Sequence, residues 1–465
     1  MATIIQPHLF SWQDVDADSD LGRLRLVLDN LPDEEIVSAL ERKRANGCNT
    51  YPIRSTWNAV IAGIVFQHHT IESLLRELRR NGELRDACGF DPLPGAKAVP
   101  SSSAMSHFMA NLIEEQDLVN KMFSTLVTTI SQLLPDFGEH LAFDGKAIPT
   151  YSSGRVSQKT GSISDPDAKW GTKTYRGTDK NGNSWEKVKS WFGYQLHLIV
   201  DSNYEIPVAF EVLPANASEA ARLPVMLDRL KQQHSEILDV AKYFSADRGL
   251  DSAEMNRKLL DELDVKPIID TRQMWKIEKQ DGSYNQDQEI TRPLHSDRYD
   301  NIVHNERGTV FCVCPVSGEL RRMAYRGFEE DRSMVGWRCP AAAYGYSCKG
   351  RQQCENAALG RPTEYGRVVR VDIDRDRRIF TPVPRDTNTW NRCYAKRSAV
   401  ERVNSRVDLL LGFERHTIRG LAKMQTRMGL ALAVMLAMAV GRIKQDDTQN
   451  LRRFIRPAEP IPAAA

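Results

Sequence analysis

Residues 141–148, LAFDGKAI, and residues 243–251, YFSADRGLD, decide the fold of this chain. In each segment an aspartate, Asp144 or Asp247, follows a short apolar run. Such runs are typical of buried strands, so both carboxylates are predicted at or near strand ends. Taken alone, an aspartate in this position is more often a turn residue or a helix cap. The pair gains weight from a third acid further along the chain.

The third acid is Glu401, in the segment YAKRSAVERVNSRV at residues 394–407, whose pattern predicts a helix. Tyr394, Arg397 and Glu401 are spaced i, i+3 and i+7, so at about 100° per residue they share one helix face. A phenol, a guanidinium and a carboxylate on one face suit phosphodiester chemistry with two divalent ions about 3.5–4 Å apart. Carboxylate oxygens favour Mg²⁺ or Mn²⁺, and an arginine can hold a phosphate with two parallel hydrogen bonds.

These residues and their context resemble the DDE transposases of bacterial insertion sequences, specifically the group with a Tyr-x2-Arg-x3-Glu-x6-Lys signature on the helix of the third acid. The match is Tyr394, Arg397 and Glu401. The resemblance implies a ribonuclease-H-like core in which Asp144, Asp247 and Glu401 hold two Mg²⁺ or Mn²⁺ ions. It also implies that Tyr394 and Arg397 contact a phosphate or a base near the cleavage point.

The signature departs at its last position, where Asp408 stands in place of the family's lysine. Position 408 still lies near the helix face of Glu401, so an acid there would repel a DNA phosphate unless a basic group intervenes. The candidates for that group are Arg402, Arg406 and Arg415. Arg402 and Arg406 are also predicted to contact DNA.

Length and composition indicate an ordinary globular protein. The chain has 465 residues, of which 41% are apolar, which is enough for a large core and for about two to four domains. The formal net charge of +2 is too small to indicate a nucleic-acid binder by itself. Residues 392–456 are clearly basic, and both DNA contact and a solvated helix surface explain that equally well.

Two observations bear on location. The first residues, MATIIQPHLFSWQDVDAD, lack the basic start, apolar centre and small-residue cleavage site of a secretory signal, so a cytoplasmic protein associated with the bacterial nucleoid is expected. The longest apolar run, Met428–Val440, has 13 residues, whereas about 20 are needed to span a bilayer. It is predicted to be a buried core helix, and no membrane partner is expected.

The predicted fold class is α+β, with an α/β alternation inside a ribonuclease-H-like core. Residues 1–135 are predicted to be helical, with helices near 33–46 and 55–81 and Thr70 as a cap. This region resembles the domain that precedes this type of transposase core, and it is open whether it reads DNA or serves packing and dimerisation. The other predicted regions are the first part of the core at 136–272, an insertion subdomain at 273–388, the last part of the core at 389–445 and a tail at 446–465.

The order of elements in residues 136–272 carries the core assignment. Strands are predicted at 141–148, 190–201 and 204–214, the last two forming a hairpin. A helix at 218–233, a strand ending at Asp247, a helix at 251–263 and a strand at 265–270 follow. Three strands and then alternating helix and strand is the order of a ribonuclease-H-like domain. Residues 151–189, rich in Gly, Ser, Lys and Asp, are predicted to form a mobile hairpin or loop over the active site.

The insertion contains five of the eight cysteines, within 43 residues: Cys312, Cys314, Cys339, Cys348 and Cys354. Because cytosolic chains rarely form structural disulfides, clustered thiols indicate a structural Zn²⁺ site with tetrahedral thiolate ligands. The spacing leaves five candidates for four places, and ordinary reduced thiols remain the alternative. Aromatic and cationic residues also alternate here, which suits either nucleic-acid stacking or a small β-rich core.

The resulting hypothesis is a transposase that binds terminal inverted repeats, cleaves DNA at the ends of its element and joins the freed 3′-hydroxyls to target DNA. Two ends must be cut and joined in concert, so a homodimer on paired DNA ends is expected. Two alternatives stay open. One is a nuclease with the same core that does not join strands, and the other is a non-catalytic DNA-binding protein derived from a transposase. The complete set of three acids argues against the second alternative.

Overall fold

The computed structural model describes most of the chain. The described residues are 20–45, 50–93, 95, 98–157, 161–178, 184–272, 274–275, 277–278, 284–285, 290–295, 301–356 and 365–452. The predicted tail at 446–465 therefore lies outside the described residues from 453 onward.

A six-stranded mixed sheet forms the centre of the protein. Its strands are β1 (His140–Pro149), β2 (Lys169–Thr178), β3 (Ser184–Asp201), β4 (Ile206–Pro214), β5 (Tyr243–Ala246) and β6 (Lys266–Ile269). The long strand β3 pairs antiparallel with β1, β2 and β4, whereas β5 runs parallel to both β1 and β6. The apolar residues that predicted the strands are buried, as Leu141, Phe143 and Phe244 are all fully covered.

Helices precede, cover and follow this sheet. They are α1 (Asp20–Leu28), α2 (Glu34–Arg44), α3 (Ile53–Val65), α4 (Ile71–Arg80), α5 (Gly82–Cys88), α6 (Ser102–Glu114), α7 (Gln116–Leu133), α8 (Glu219–Gln233), α9 (Ser235–Val240), α10 (Ala253–Arg257), α11 (Pro340–Tyr344), α12 (Arg351–Asn356), α13 (Asn388–Ala395), α14 (Ser398–Leu410) and α15 (Leu421–Lys444). Short 3₁₀ turns lie at Arg248–Leu250, Glu330–Arg332, Ile373–Arg375 and Thr448–Asn450, and one π turn at Lys258–Glu262 follows α10.

One hydrophobic core joins the N-terminal helices, the sheet and α15. It runs from Leu21 to Leu451 and includes Trp57, whose indole N–H donates to the buried carboxylate of Asp33 at 2.5 Å. Among the described residues, α15 is the one helix long and apolar enough to cross a membrane, and 89% of its apolar window is buried inside the protein. The prediction of a buried core helix at Met428–Val440 is therefore confirmed.

The segment between β6 and α13 has a separate hydrophobic core, built around Val310, Val335, Trp337 and Phe380. Its strands are β7 (Ile277–Glu278), β8 (Tyr284–Asn285), β9 (Thr291–Pro293), β10 (Ile302–Asn305), β11 (Val310–Val313), β12 (Leu320–Arg322), β13 (Ala324–Glu329), β14 (Met334–Arg338) and β15 (Val368–Asp372). They form a four-stranded sheet in the order β12-β11-β10-β9, a three-stranded sheet in the order β13-β14-β15 and the pair β7-β8.

Most element predictions are confirmed, with boundary shifts of a few residues. Thr70 caps α4 through a reciprocal bond pair with Ser73, and the predicted hairpin is the β3–β4 pair. Of the two forms predicted for 151–189, the second half of the segment adopts the hairpin, because residues 169–178 form β2 and pair antiparallel with the first half of β3. Their polar, glycine-containing sequence hides a strand that is exposed on much of its surface.

Candidate active site

Asp144 and Asp247 lie at equivalent positions on neighbouring parallel strands. The paired register of β1 and β5 ends with Ala142 opposite Ser245, and two further residues along each strand bring Asp144 level with Asp247. Asp247 immediately follows β5, and its carboxylate accepts a hydrogen bond from the backbone N–H of Arg248 at 2.8 Å. The sheet thus places the two predicted acids side by side, but Asp144 lies in the middle of β1 and not near a strand end as predicted, because β1 continues to Pro149.

The two aspartates influence each other's charge. Burial raises the pKa of Asp144, and the nearby Asp247 raises it further, while Lys173 and Arg397 oppose the shift. Two carboxylates held this close repel each other unless a cation lies between them. Their oxygens are the ligands that Mg²⁺ and Mn²⁺ prefer, so this pair fits a divalent ion by chemistry and by charge.

Glu401 reaches the site from α14. Arg397 donates to the Glu401 carboxylate at 2.9 Å, and its guanidinium lies 5.8 Å from the ring of Tyr394. Burial lowers the pKa of Arg397, but Tyr394, Glu401 and the two aspartates more than offset this and the pKa is raised. The structure therefore brings Tyr394, Arg397 and Glu401 together and puts the guanidinium within the electrostatic reach of both aspartates.

The prediction of one continuous helix through this signature is wrong. Helix α13 ends at Ala395 and α14 begins at Ser398, with tight i to i+3 backbone bonds between them, such as Arg397 N–H to the Tyr394 carbonyl at 3.0 Å. Tyr394 remains on α13, where its ring stacks on Trp390 at 4.6 Å between centroids. The turn changes the angle between the phenol and the carboxylate, while Arg397 still contacts both.

The predicted DNA-contacting residues Arg402 and Arg406 lie against Glu205. Arg402 pairs with its carboxylate at 2.7 Å and Arg406 at 2.5 Å, and Arg452 adds a third contact at 3.3 Å. Glu205 is only 3% exposed, so these guanidiniums neutralise a buried carboxylate. Arg406 is itself buried, whereas Arg402 is half-exposed. Their contact with DNA stays a prediction.

The basic group that faces Asp408 is Lys146. Its ammonium lies 2.5 Å from the Asp408 carboxylate, in a partly buried pair. The lysine comes from β1, two residues after Asp144, and none of the arginines proposed from the sequence supplies this contact. Position 408 is therefore acidic in this chain, and the positive charge beside it comes from the strand instead of the helix.

Two of the three acids, Asp144 and Glu401, line a cleft together with the Lys146–Asp408 pair, whereas Asp247 is not among its lining residues. The cleft has a volume of about 440 Å³, and it lies between β1, β3 and α14. Its lining combines acids, cations and amides: Asp144, Lys146, Lys173, Gln195, Glu401, Asn404, Ser405, Asp408 and Glu414. A second, larger cavity of about 560 Å³ between α7, β4 and α8 contains none of the three predicted acids.

Sequence reasoning missed three residues of this site. Lys146 and Lys173 line the cleft, and Glu219, the first residue of α8, lies close enough to Asp144 and Asp247 to feel their charges. Burial raises the pKa of Glu219, and Lys173 opposes that shift. The signal in the sequence was weak, because Lys173 lies in the segment predicted only as a mobile hairpin or loop, and Glu219 resembles an ordinary acid in a first helical turn.

Four of the five cysteines of the insertion interact with one another, and the fifth has different partners. Cys312 interacts electrostatically with Cys339, Cys348 and Cys354, and the Asn301 amide lies 3.6 Å from the sulfurs of both Cys312 and Cys354. The fifth, Cys314, instead accepts hydrogen bonds from Ser317, which lower its pKa to about 7.

Neither the acids nor the thiols form a ready metal centre. Within the described residues, no group of three or more His, Cys, Asp or Glu side chains is arranged closely enough to hold a metal ion. For the acids, the reason is visible in the contact between Glu401 and Arg397, which holds the third carboxylate on a guanidinium. A divalent ion bound by the aspartates would compete with Arg397 for Glu401.

A mixed sheet with one aspartate within β1 and a second just after the parallel strand β5, beside a helix that carries a glutamate, is consistent with the fold of a DDE-type transposase. The family model described as "Transposase DDE domain" matches residues 135–437, more than half of the chain, and the protein belongs to this family. The family resemblance stated from the sequence is thereby confirmed, and it supports a DNA-cutting and DNA-joining enzyme. The bacterial insertion-sequence origin and the specific signature group stay predictions.

Comparison with solved structures adds a likeness in fold. It is to a cryo-EM structure of the piggyBac transposase synaptic complex with hairpin DNA, with a TM-score of 0.40 and 12% sequence identity. The alignment covers 96% of this chain and 80% of that chain. No curated protein matches the sequence.

Proposed function

We propose that this protein is the transposase of an insertion sequence, which cleaves DNA at the terminal inverted repeats of its element and joins the 3′-hydroxyls to target DNA. The observation that carries the proposal is the register of β1 and β5, which brings Asp144 level with Asp247 in a chain of the transposase family. In the proposed site, Asp144, Asp247 and Glu401 are the catalytic acids.

In this proposal the acids hold two Mg²⁺ or Mn²⁺ ions, which activate the attacking oxygen and stabilise the leaving oxygen of the phosphodiester. Asp144 and Asp247 are the permanent ligands, because their charges already lie together. Glu401 would be free to act as a further ligand if Arg397 left its carboxylate for a DNA phosphate, for which the planar guanidinium is well suited. Tyr394 packs beside Arg397 and limits the positions that the guanidinium can adopt.

The strand order supports a ribonuclease-H-like core. Strand β3 runs antiparallel to both β4 and β1, and β5 and β6 then add two strands parallel to β1 on its other side. We propose the layout expected from the sequence: a helical region at 1–135, core parts at 136–272 and 389–445, and an insertion subdomain at 273–388. The separate hydrophobic core of the insertion supports its treatment as a subdomain.

DNA is the proposed partner, and the β2–β3 ribbon offers one surface for it. Lys173 of β2 lies directly opposite Lys189 of β3 in the antiparallel register. Two lysines side by side suit contact with a phosphate backbone. The ribbon leads into the cleft, where Lys173 meets the acids. A homodimer on paired ends, in the bacterial cytoplasm and associated with the nucleoid, completes the proposal.

We further propose a structural Zn²⁺ ion in the insertion, held by Cys312, Cys339, Cys348 and Cys354. The electrostatic interactions among these four thiols, without Cys314, support the choice of four ligands from five candidates. The thiols would have to close on the ion, because they are not arranged as a metal site without it. Metal analysis of the full chain should give one zinc per chain in wild type and in Cys314→Ser. It should give none in Cys312→Ser, and equal zinc content in the two variants would contradict the proposed ligand set.

The test of the proposed function is a cleavage and joining assay with Mg²⁺ or Mn²⁺ and DNA that carries the element's ends. Wild type, Glu401→Gln, Asp144→Asn and Glu414→Gln should be compared, since Glu414 lines the same cleft without belonging to the three acids. Joined products from wild type and Glu414→Gln alone are the expected result, with losses of at least about 1,000-fold in the other two.

Other outcomes separate the alternatives. Cleavage without joined product by wild type, with both acids still required, would favour a nuclease. Specific DNA binding without cleavage would indicate a transposase-derived binding protein. Joining that survives Asp144→Asn at the wild-type rate would contradict the proposed site itself.

A further inference from the structure

We propose that Glu219 is a fourth carboxylate of the active site, a direct ligand of the divalent ion held by Asp144. This inference rests on the proposed function and adds a residue that the three-acid set does not contain. It starts from Gly145, the residue that follows Asp144 in the segment LAFDGKAI.

The backbone conformation at position 145 does not require a glycine. Its φ angle is not among the positive values of the described residues, so an ordinary side chain would suit the conformation. The requirement is space. A Cβ at this position would overlap the Glu219 carboxylate, since the carboxyl carbon lies 2.7 Å away and the Gln195 amide nitrogen 2.5 Å away. The side chain of Glu219 thus occupies the volume that residue 145 leaves empty.

That gap lies on the face of β1 opposite to the side chain of Asp144. Side chains alternate along β1, and Lys146 points to α14 because it pairs with Asp408. Position 145 therefore points to the opposite face, where α8 presents Glu219. The described pairing of β1 with β5 ends at Ala142 and Ser245, whereas β1 continues to Pro149, so an acid from this face can approach the two aspartates around the end of β5, and the glycine gives it room beside β1. Glu219 consequently lies within electrostatic reach of both Asp144 and Asp247.

Glu219 is also held in place. Gln195 of β3 donates a hydrogen bond to its Oε1 at 2.6 Å, and Gln195 lies opposite Ala147 in the strand register, on the face to which Gly145 points. The amide fixes one carboxylate oxygen and leaves the other available to a cation. A first-turn acid that only stabilised its helix would need neither the glycine nor the amide.

The test measures Mn²⁺ binding to the full-length chain by electron paramagnetic resonance, without DNA or turnover. Glu219→Gln keeps the size of the side chain and an acceptor for Gln195 but removes the charge. It should raise the Mn²⁺ dissociation constant about tenfold or more. Glu219→Asp should recover part of that loss. Gly145→Ala displaces the carboxylate without changing any charge, and it should reproduce the loss of Mn²⁺ affinity expected for Glu219→Gln.

Asp228→Asn is the matched control, because it removes an acid from an exposed position on the same helix; it should bind Mn²⁺ as wild type does. Thermal unfolding of each variant identifies any that does not fold. Gly145→Ala perturbs packing and Glu219→Gln removes a charge, so if one of them does not fold, the Mn²⁺ measurement on the other still tests the proposal.

Asp144→Asn separates the two levels of the proposal. If it abolishes Mn²⁺ binding while Glu219→Gln and Gly145→Ala both stay within twofold of wild type, the role of Glu219 is refuted and the proposed function stands. If Asp144→Asn also binds Mn²⁺ as wild type does, the metal site itself is refuted, and the inference with it.

Discussion

The family's signature has a lysine where this chain has Asp408. The Lys146–Asp408 pair allows a direct test of whether Lys146 compensates for that difference. Three variants are needed: Asp408→Lys, Lys146→Asp and the double exchange. Each single change places two like charges where the structure has a contact of 2.5 Å. The double exchange restores an ion pair and moves the lysine to the helix, where the family has it. If Lys146 compensates for Asp408, the double variant should be more stable than either single variant.

The magnitude follows from the burial of the two side chains, which are 15% and 32% exposed. Charges at about 4 Å near a protein surface interact by up to about 4 kcal/mol, and solvent and side-chain entropy reduce the net value of an exposed pair to about 1 kcal/mol or less. Because this pair is only partly exposed, we take about 1 kcal/mol for the lost attraction and a similar amount for the new repulsion. Each single variant should then lose about 2 kcal/mol of unfolding free energy.

The assay is urea unfolding of all four full-length proteins, at about 0.1 M and about 1 M NaCl. The single-variant losses should shrink at high salt, where charges are screened within about 3 Å instead of about 10 Å. The double variant should lie within about 0.5 kcal/mol of wild type. Losses that simply add in the double variant would show that the two residues do not interact, and the compensation argument would be refuted.

Two further predictions concern buried charges. Glu205→Gln should cost about 3 kcal/mol in urea unfolding, because it leaves the buried guanidinium of Arg406 without its counter-charge; a loss below about 1 kcal/mol would show that this pair is not needed. Burial lowers the pKa of His140 to about 3 and of His197 to about 4, against about 6.5 in an unfolded chain. The unfolded state therefore binds more protons between those values, so stability should be constant above pH 6.5 and fall on acidification by about 1.4 kcal/mol per pH unit for each histidine. His197→Gln should reduce that slope in unfolding measured from pH 7.5 to 4.5, and an unchanged slope would contradict this assignment.

The parts of the fold that the sequence predicted depend on local apolar pattern. The strands around Asp144 and Asp247 and the buried helix at Met428–Val440 consist of apolar runs whose burial needs no knowledge of the partner. Strand β2 gives no such apolar pattern, because its sequence is polar, so the sequence left open whether its segment forms a hairpin or a loop. The break between α13 and α14 likewise gives no pattern signal, since no proline or glycine marks it.

The same distinction applies to the site. Three acids could be selected because each follows or lies within a recognisable element, and the register of β1 and β5 then brings two of them level. Lys146 could not be matched with Asp408, because 262 residues separate them in sequence. The sequence offered arginines near Asp408, such as Arg406 on the same helix, as its basic partner. Arg406 instead pairs with Glu205, because a buried carboxylate attracts a guanidinium more strongly than an exposed one does.

The tetrapeptide Phe143-Asp144-Gly145-Lys146 shows how much one strand can encode. Alternation along β1 sends Asp144 and Lys146 to the face of α14, where the lysine meets Asp408. It sends Phe143 and position 145 to the other face, where Phe143 lies 6.0 Å from the ring of His197. Phe143 fills that face with apolar volume, and the glycine beside it leaves a gap of one side chain, which Glu219 occupies. An alanine at 145 would preserve every local rule for a strand and still exclude the carboxylate. The argument for Glu219 therefore depends on the absence of a single methyl group, and Gly145→Ala tests it with the smallest change that the chain allows.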